Sequence, residues 1–361
     1  MTAARWTPTA LPLDQAELVL ALERLVYGPS DVGERPYYDW LYRANPAGDA
    51  IAFYAATGDP AVPSGGHYIV IPVRMTVRGD DVAGSLSLNT LTHPAYRRQG
   101  VFVTLAERVF AECVRRGIGL TYGFPNPNSL PGFVGPLRFA DIGRVPLLVA
   151  PLDPGAIAPE GATAARRLLV RSGARAAAVL AALARVRWAP SQTRVTEETG
   201  VSDAWNALWA RVRGKYPVMV TRDQAYIAWR FGACPTRRYR LWVAWANGDP
   251  IGFVATRVGT ILGMRAGLVV DLLVAPGRRN DAGAALVAAA IREFRAAGVA
   301  LATALVPRRT EEHAALRRAG FLPCPRALEP QPFPVILRSH GAAVPAAIDA
   351  WFLTMGDYDA V

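Results

Sequence analysis

The chain has 361 residues, enough for two domains that each bury a core. Apolar residues make up 52% and charged residues 19%, with no uninterrupted apolar run of membrane length, so the composition is that of a soluble globular protein with no membrane span. The net charge of +11 rests almost wholly on arginine, Lys215 being the only lysine, which fits a compositional bias or an anionic ligand as readily as nucleic acid.

Taken in order, the first element is an amphipathic helix over residues 14–26, with an apolar stripe at Leu18, Leu20, Leu22, Leu25 and Val26 behind an acidic first turn. An aromatic helix from Tyr37 follows and is ended by Pro46. Strands are expected at about 51–56, 67–77 and 82–91, separated by turns such as Gly58-Asp59-Pro60 and Arg78-Gly79-Asp80. The start MTAARWTPTALPLDQ lacks an apolar leader, which implies a cytoplasmic location. Cys113, Cys234 and Cys324 show no metal-ligand spacing, so no metal is expected.

The stretch Leu91–Gly117 organises this half. Leu91-Thr92-His93-Pro94 closes the strands, Arg97-Arg98-Gln99-Gly100 makes a basic turn, and Val101 opens a helix of about four turns. The first N–H groups of a helix lack partners and carry the positive end of its dipole, so an anion is stabilised there. Gly100 allows close backbone approach, and Arg97 and Arg98 add charge; a pyrophosphate is the expected ligand.

This turn resembles the [Gln/Arg]-x-x-Gly-x-[Gly/Ala] signature of the GNAT superfamily of acyl-CoA N-acyltransferases, with Phe102 in place of the final small residue. The sequel is similar to the GNAT order as well: a strand near Leu120–Phe124, then Asn126, Ser129 and the Pro136–Phe139 segment. The resemblance implies an α+β fold, a twisted, mixed and mainly antiparallel sheet flanked by helices. It also implies acetyl-CoA or another acyl-CoA as co-substrate, held by Leu91, Thr92, Arg97, Arg98, Gln99, Gly100, Val101, Phe102, Asn126 and Ser129.

After Pro151 the chain changes. Between Gly161 and Pro190 it carries Arg166, Arg167, Arg171, Arg175, Arg185 and Arg187 and no acid, as a helix-forming connector suited to packing with its arginines in water. Beyond it the pattern repeats. Tyr226, Trp229 and Pro235 have the spacing of Tyr37, Trp40 and Pro46, and Val274–Arg279 aligns with Thr92–Arg97. The helix from Ala282 to Ala297 aligns with that after Gly100. Two GNAT-like domains are therefore expected, over 1–152 and 196–361, joined by the connector 153–195. In the second copy, Arg279-Asn280-Asp281-Ala282-Gly283 lacks the glycine in place and gains an acid that repels phosphate, so the cofactor is expected in the first. Asp223-x-x-Tyr226-x-x-Trp229-Arg230 and the closing Trp351–Asp359 also resemble segments of that superfamily.

By that resemblance the reaction is attack of a small-molecule amine on the acyl thioester, without a covalent enzyme intermediate. Backbone N–H groups around Leu88–Leu91 would bind the oxyanion. Phe133 and Val134 stand near the place where many GNAT enzymes have an acidic tyrosine, so Tyr122 is the substitute. Asn89 and Asp271 occupy corresponding positions before the proline-bearing turns, and only Asp271 titrates. His67 and His93 are expected at the surface or as caps. Two other readings fit the pattern: a tRNA-dependent aminoacyl transferase, whose family also pairs such domains, and a non-catalytic ligand-binding module. Oligomeric state and acyl length leave no sequence signal.

Overall fold

The computed structural model describes residues 6–157, 163–164, 167–168, 170–176, 193–200, 202–261 and 264–358. Arg166, Arg185 and Arg187 of the expected connector lie outside the described residues. Within them, Arg171 donates to the Ile157 carbonyl at 3.2 Å and Ala174 is buried.

The chain divides into two compact units. The first comprises Met1–Gly143, Ala233–Arg237 and Pro334–Ala346; the second comprises Arg144–Gly232, Arg238–Phe333 and Ala347–Val361. In the first unit the elements are β1 (Thr7–Ala10), α1 (Glu17–Tyr27), α2 (Arg35–Tyr42), β2 (Ile51–Ala56), β3 (Ser64–Val77), β4 (Asp80–Thr92), α3 (Val101–Arg115), β5 (Leu120–Gly123), α4 (Leu130–Val134) and β6 (Ala140–Arg144). The second unit has β7 (Leu147–Pro151), β8 (Arg194–Glu198), α5 (Ala204–Val212), β9 (Val218–Val220), α6 (Gln224–Ile227), β10 (Arg240–Ala246), β11 (Asp249–Ile261), β12 (Met264–Val274), α7 (Ala284–Ala296), β13 (Leu301–Leu305), α8 (Glu311–Arg318) and β14 (Leu322–Pro323). The chain then returns to the first unit as β15 (Pro334–Ser339) and ends in the second with β16 (Trp351–Phe352).

Seven strands of the nine-stranded first sheet follow the order of the seven-stranded second. The first has the order β1-β2-β3-β4-β5-β15-β6, and the second, read from its other edge, β8-β10-β11-β12-β13-β7-β14. In each the central pair is parallel, β4 with β5 and β12 with β13, while the meander before it is antiparallel. A duplicated α+β fold is thus visible in the strand order, with one exchange: the sixth strand of each sheet, β15 or β7, comes from the other half of the sequence. The sequence boundary at residue 152 falls after β7, which pairs with β13 in the second unit.

Local chemistry explains the elements. Arg78 and Gly79 both have positive φ (54° and 91°), the backbone a two-residue hairpin between β3 and β4 requires. Helix α3 buries Val101, Leu105, Ala106, Val109, Phe110 and Cys113 along one face, against Ile51, Ala55, Tyr68, Val70 and Ile336 of the sheet. Helix α1 departs from its expected stripe. Leu20 and Leu22 of the stripe are buried, but so are Val19 and Glu23, while Leu25 and Val26 are exposed.

Candidate functional site

In the first unit β4 pairs with β5 only from Gly84–Leu120 to Ser87–Gly123, yet β4 runs on to Thr92. Because β5 ends at Gly123, β4 runs past it, and the space beside its last residues forms the wedge. A bulge marks the place: His67 faces Leu91 and Ile69 faces Leu88, so Asn89 and Thr90 together oppose the single residue Tyr68. Asn89 accepts a φ of 44°, tolerable for asparagine, and its Nδ2 donates to the Tyr42 hydroxyl on α2 at 3.0 Å. Its side chain thus anchors the bulge to a helix. Past Ser87, the main-chain groups of β4 that point away from β3 have no β5 backbone to meet.

The wedge leads to the basic turn. Pro94–Tyr96 forms a short 3-10 turn capped by His93, whose Nδ1 accepts the Ala95 N–H at 3.2 Å. Gln99 folds back, its Nε2 donating to the Ala95 carbonyl at 3.0 Å. Gly100 then caps α3 in the left-handed conformation, φ 78°, with no side chain bonded to the helix end. Arg97, Arg98, Gln99 and Gly100 are exposed, and among the described residues neither arginine has an ion-pair partner. The backbone comes close because Gly66 lies beneath: a Cβ there would stand 2.8 Å from the Leu91 carbonyl and 2.9 Å from Val101 Cγ1. The Gly65-Gly66 pair escaped the sequence reading; two adjacent glycines at the start of a strand were the available signal.

Phe102 does not crowd the turn. Its ring packs edge-on against Phe133 (5.2 Å) and near Tyr68 (5.8 Å), and Gly132 makes room, since a Cβ there would lie 3.0 Å from the ring. Val101 is buried in the core, and Leu91 and Thr92 are half-buried at the end of β4. Asn126 is exposed, and its Oδ1 accepts the N–H groups of Asn128 (2.9 Å) and Ser129 (3.0 Å). Ser129 Oγ donates to the Asn126 carbonyl, so these two side chains shape the start of α4. Tyr122 is fully buried on β5, level with Leu86 and Leu337, its ring 6.2 Å from Phe124.

His67 corrects an expectation. It is 1% exposed, and among the described residues neither ring nitrogen has a hydrogen-bond partner. Burial drives its pKa down to about 4, offset only in part by the Asn89 backbone, so the ring is neutral at physiological pH.

The second unit repeats the wedge and fills it. β12 leaves β13 after Val269–Ala304, with Val270 as the extra residue of a bulge. Glu312 Oε1 accepts the Val274 N–H at 3.0 Å and a hydrogen bond from Lys215 Nζ at 2.8 Å, while Nζ also donates to the Val274 carbonyl. The Glu311 carboxylate takes the Gly277 N–H at 2.9 Å, and Asp281 Oδ1 takes that of Ala282. The chain's own carboxylates hold N–H groups of the turn that corresponds to the open one.

Asp271, the expected base, is a buried ion-pair partner instead. Its Oδ2 accepts from Arg222 Nε at 2.9 Å, both side chains being fully buried, and Arg222 Nη2 also bonds Asp357. Burial raises the Asp271 pKa to about 6, Arg222 opposes that, and the second carboxylate adds to it. The Asp223–Arg230 motif belongs to the same device. Tyr226 and Arg230 both donate to the Gly356 carbonyl, at 3.1 and 3.0 Å, and Arg230 also donates to that of Tyr358. The motif and the tail are the two halves of one clamp.

Residues 19–137 match the family model described as an acetyltransferase (GNAT) domain. The match covers about a third of the chain. Its fold is similar to a crystal structure from Enterococcus faecalis described as a probable N-acyltransferase (10% identity, TM-score 0.61, 93% of this chain and 73% of that one). It is also similar to a GCN5-related N-acetyltransferase from Anabaena variabilis (10%, 0.64, 92% and 72%) and to the Saccharomyces cerevisiae N-myristoyltransferase with bound myristoyl-CoA (13%, 0.60, 94% and 80%). A search of curated proteins finds no match to the sequence. The matched segment falls in the first unit, where the open turn and wedge lie. An acyl-CoA fits that turn: a 15-residue helix presents an N-terminus with no side-chain cap, beside two arginines that no carboxylate neutralises. No helix among the described residues is long and apolar enough to cross a membrane.

Proposed function

We propose that the chain is an acyl-CoA-dependent N-acyltransferase that binds one acyl-CoA, acetyl-CoA being the first expectation, in its first unit and transfers the acyl group to a small-molecule amine. The observation that carries the proposal is the contrast between the turns. The α3 turn keeps its N–H groups and both arginines available, whereas the second unit's turn has satisfied its donors with Glu311, Glu312 and Asp281. With the pyrophosphate at Arg97–Gly100, the pantetheine arm lies along the parted edge of β4, whose free main-chain groups pair with its amides. The bulge at Asn89–Thr90 then directs backbone donors at the thioester oxygen.

The amine nitrogen attacks the acyl carbon, the C–N bond forms as C–S breaks, and the proton lost by nitrogen balances the one gained by the thiolate. Tyr122 is the proposed donor to sulfur, which Tyr122→Phe tests: kcat falls while acetyl-CoA affinity stays.

The deciding experiment is calorimetric titration with acetyl-CoA. The expected result is one site per chain, lost in Gly100→Asp, which sets a carboxylate among the phosphate donors at a φ that aspartate tolerates. Binding of two equivalents, or undiminished binding in the variant, overturns the assignment. A parallel titration with myristoyl-CoA reads acyl length.

A further inference from the structure

Directly opposed residues of an antiparallel pair share a face of the sheet. Tyr68 turns toward α3, where its ring meets Phe110 at 5.6 Å and Phe133 at 6.4 Å. His67, the next residue, therefore projects from the opposite face, the one from which Tyr42 of α2 reaches Asn89. It stands level with Leu91, immediately past the bulge, and the Asn89 backbone is the polar group its ring senses. A neutral imidazole has one N–H and one lone pair; both are buried, the Asn89 backbone draws on the ring N–H without a close bond, and among the described residues the lone pair has no partner. An orphaned buried polar group costs stability, and an apolar side chain would fill the site at no such cost. A histidine here is explained if something that visits the wedge completes it. The phosphate end of the cofactor sits at the N-terminus of α3, so the group that arrives from the His67 face is the acyl acceptor.

We infer that His67 is an acceptor-binding residue: its ring takes a hydrogen bond from the amine that attacks the acyl group held beside the β4 bulge, an inference that rests on the acyl-CoA reading of this unit. The bond fixes the amine with its lone pair toward the acyl carbon. As the C–N bond forms and C–S breaks, nitrogen loses one proton and the coenzyme A sulfur gains one, so His67 ends neutral as it began. An uncharged acceptor suits an uncharged amine, which is the nucleophilic form.

The test compares His67→Leu and His67→Gln in the full chain. Leucine fills the volume without polar atoms, so the inference expects a rise in Tm together with at least a tenfold fall in kcat/KM for amines and a change of less than about threefold in acetyl-CoA affinity. Glutamine, which restores an acceptor, recovers part of the rate. If the His67 side chain were only filler, leucine would raise Tm and leave acyl transfer intact, which overturns the inference. An independent readout is the ¹⁵N signal of the His67 ring, expected to move when primary alkyl- and arylalkylamines are added to the acetyl-CoA complex and to stay still with acetyl-CoA alone. Acetyl-CoA binding by calorimetry without any amine-dependent shift sinks the role of His67 but leaves the cofactor reading standing. No acetyl-CoA binding removes both.

Discussion

The turn before α3 and the turn before α7 occupy the same place in matching sheets, follow a parted parallel strand pair in each case, and share a proline-bearing entry at Pro94 and Pro276. They differ in what satisfies the backbone. At the first, Gly100 leaves the helix end open and Arg97 and Arg98 unneutralised. At the second, Glu311 and Glu312 of α8 reach back to Gly277 and Val274, and Lys215 locks Glu312 in place. Both turns obey the rule that main-chain donors find acceptors; the second finds them inside the chain, and the proposed reading leaves the ligand to the first. The strand order recurs in both units, and the difference between their turns rests on a few carboxylates.

If the second unit has traded ligand binding for structure, its clamp should carry stability. Arg222 is buried and bonds Asp271, Asp357, the Val220 carbonyl and Thr354. Arg222→Ala leaves two carboxylates buried without their cation, which by the usual cost of breaking such a pair is about 3–5 kcal/mol. Urea unfolding should show this as the largest loss of any single substitution discussed here. A loss below about 1 kcal/mol would mean the tail is not held as described.

The first unit should respond in binding rather than stability. Arg97→Ala and Arg98→Ala remove exposed cations with no ion-pair partner among the described residues, so unfolding midpoints should hardly move. Each should weaken acetyl-CoA by about two- to fivefold, the scale of an exposed charge contact, and flatten the dependence of affinity on salt. Arg278→Ala, at the corresponding turn and paired with Asp281 at 3.2 Å, should leave affinity unchanged. Equal effects at both turns would erase the distinction between the units.

Much of this was legible in the chain. The helix after Gly100, the hairpin at Arg78-Gly79 and the second copy's in-register proline are local patterns, set by periodicity and by residues that tolerate unusual backbone. The strand exchange was not, because Leu147–Pro151 and Pro334–Ser339 are short apolar runs that suit the sixth position of either sheet. Pairing across 150 residues or more leaves no mark in either segment. In α1 the stripe passed over Glu23, which is buried beside Leu20 and Leu22, and counted Leu25 and Val26, which are exposed. Asp271 illustrates a different limit: its place on the strand was readable, but the partner Arg222 lies 49 residues away and converts an apparent base into an ion pair. His67 was within reach, since strand alternation sets it on one face with Ile69 and Ile71, and that pattern argues for burial rather than the surface.

The smallest expected effect separates the units by the sign of their response to pH. His67 has a folded pKa near 4 against an ordinary 6.5, so its neutral form is favoured in the fold. Between those values the unfolded chain binds more protons, and the contribution of His67 is therefore fully present above about pH 6.5 and lost as pH falls toward 4. Asp271 runs the other way. Its folded pKa near 6 exceeds the ordinary 3.8, so the folded chain holds more protons between those values, and stability from this group is lost as pH rises from about 4 to 6. The two slopes oppose each other over nearly the same window and partly cancel in the native chain, with His340, also depressed to about 4 by burial, adding to the His67 side. Single substitutions expose the halves. His67→Leu should give unfolding midpoints that rise less, or fall more, between pH 4.5 and 6.5 than those of the native chain, and Asp271→Asn midpoints that rise more steeply. Parallel curves for all three proteins would show that neither pKa shifts on folding. The open unit would then hold a charged imidazole and the closed one an ordinary carboxylate, and the contrast drawn between their interiors would fail at its electrostatic root.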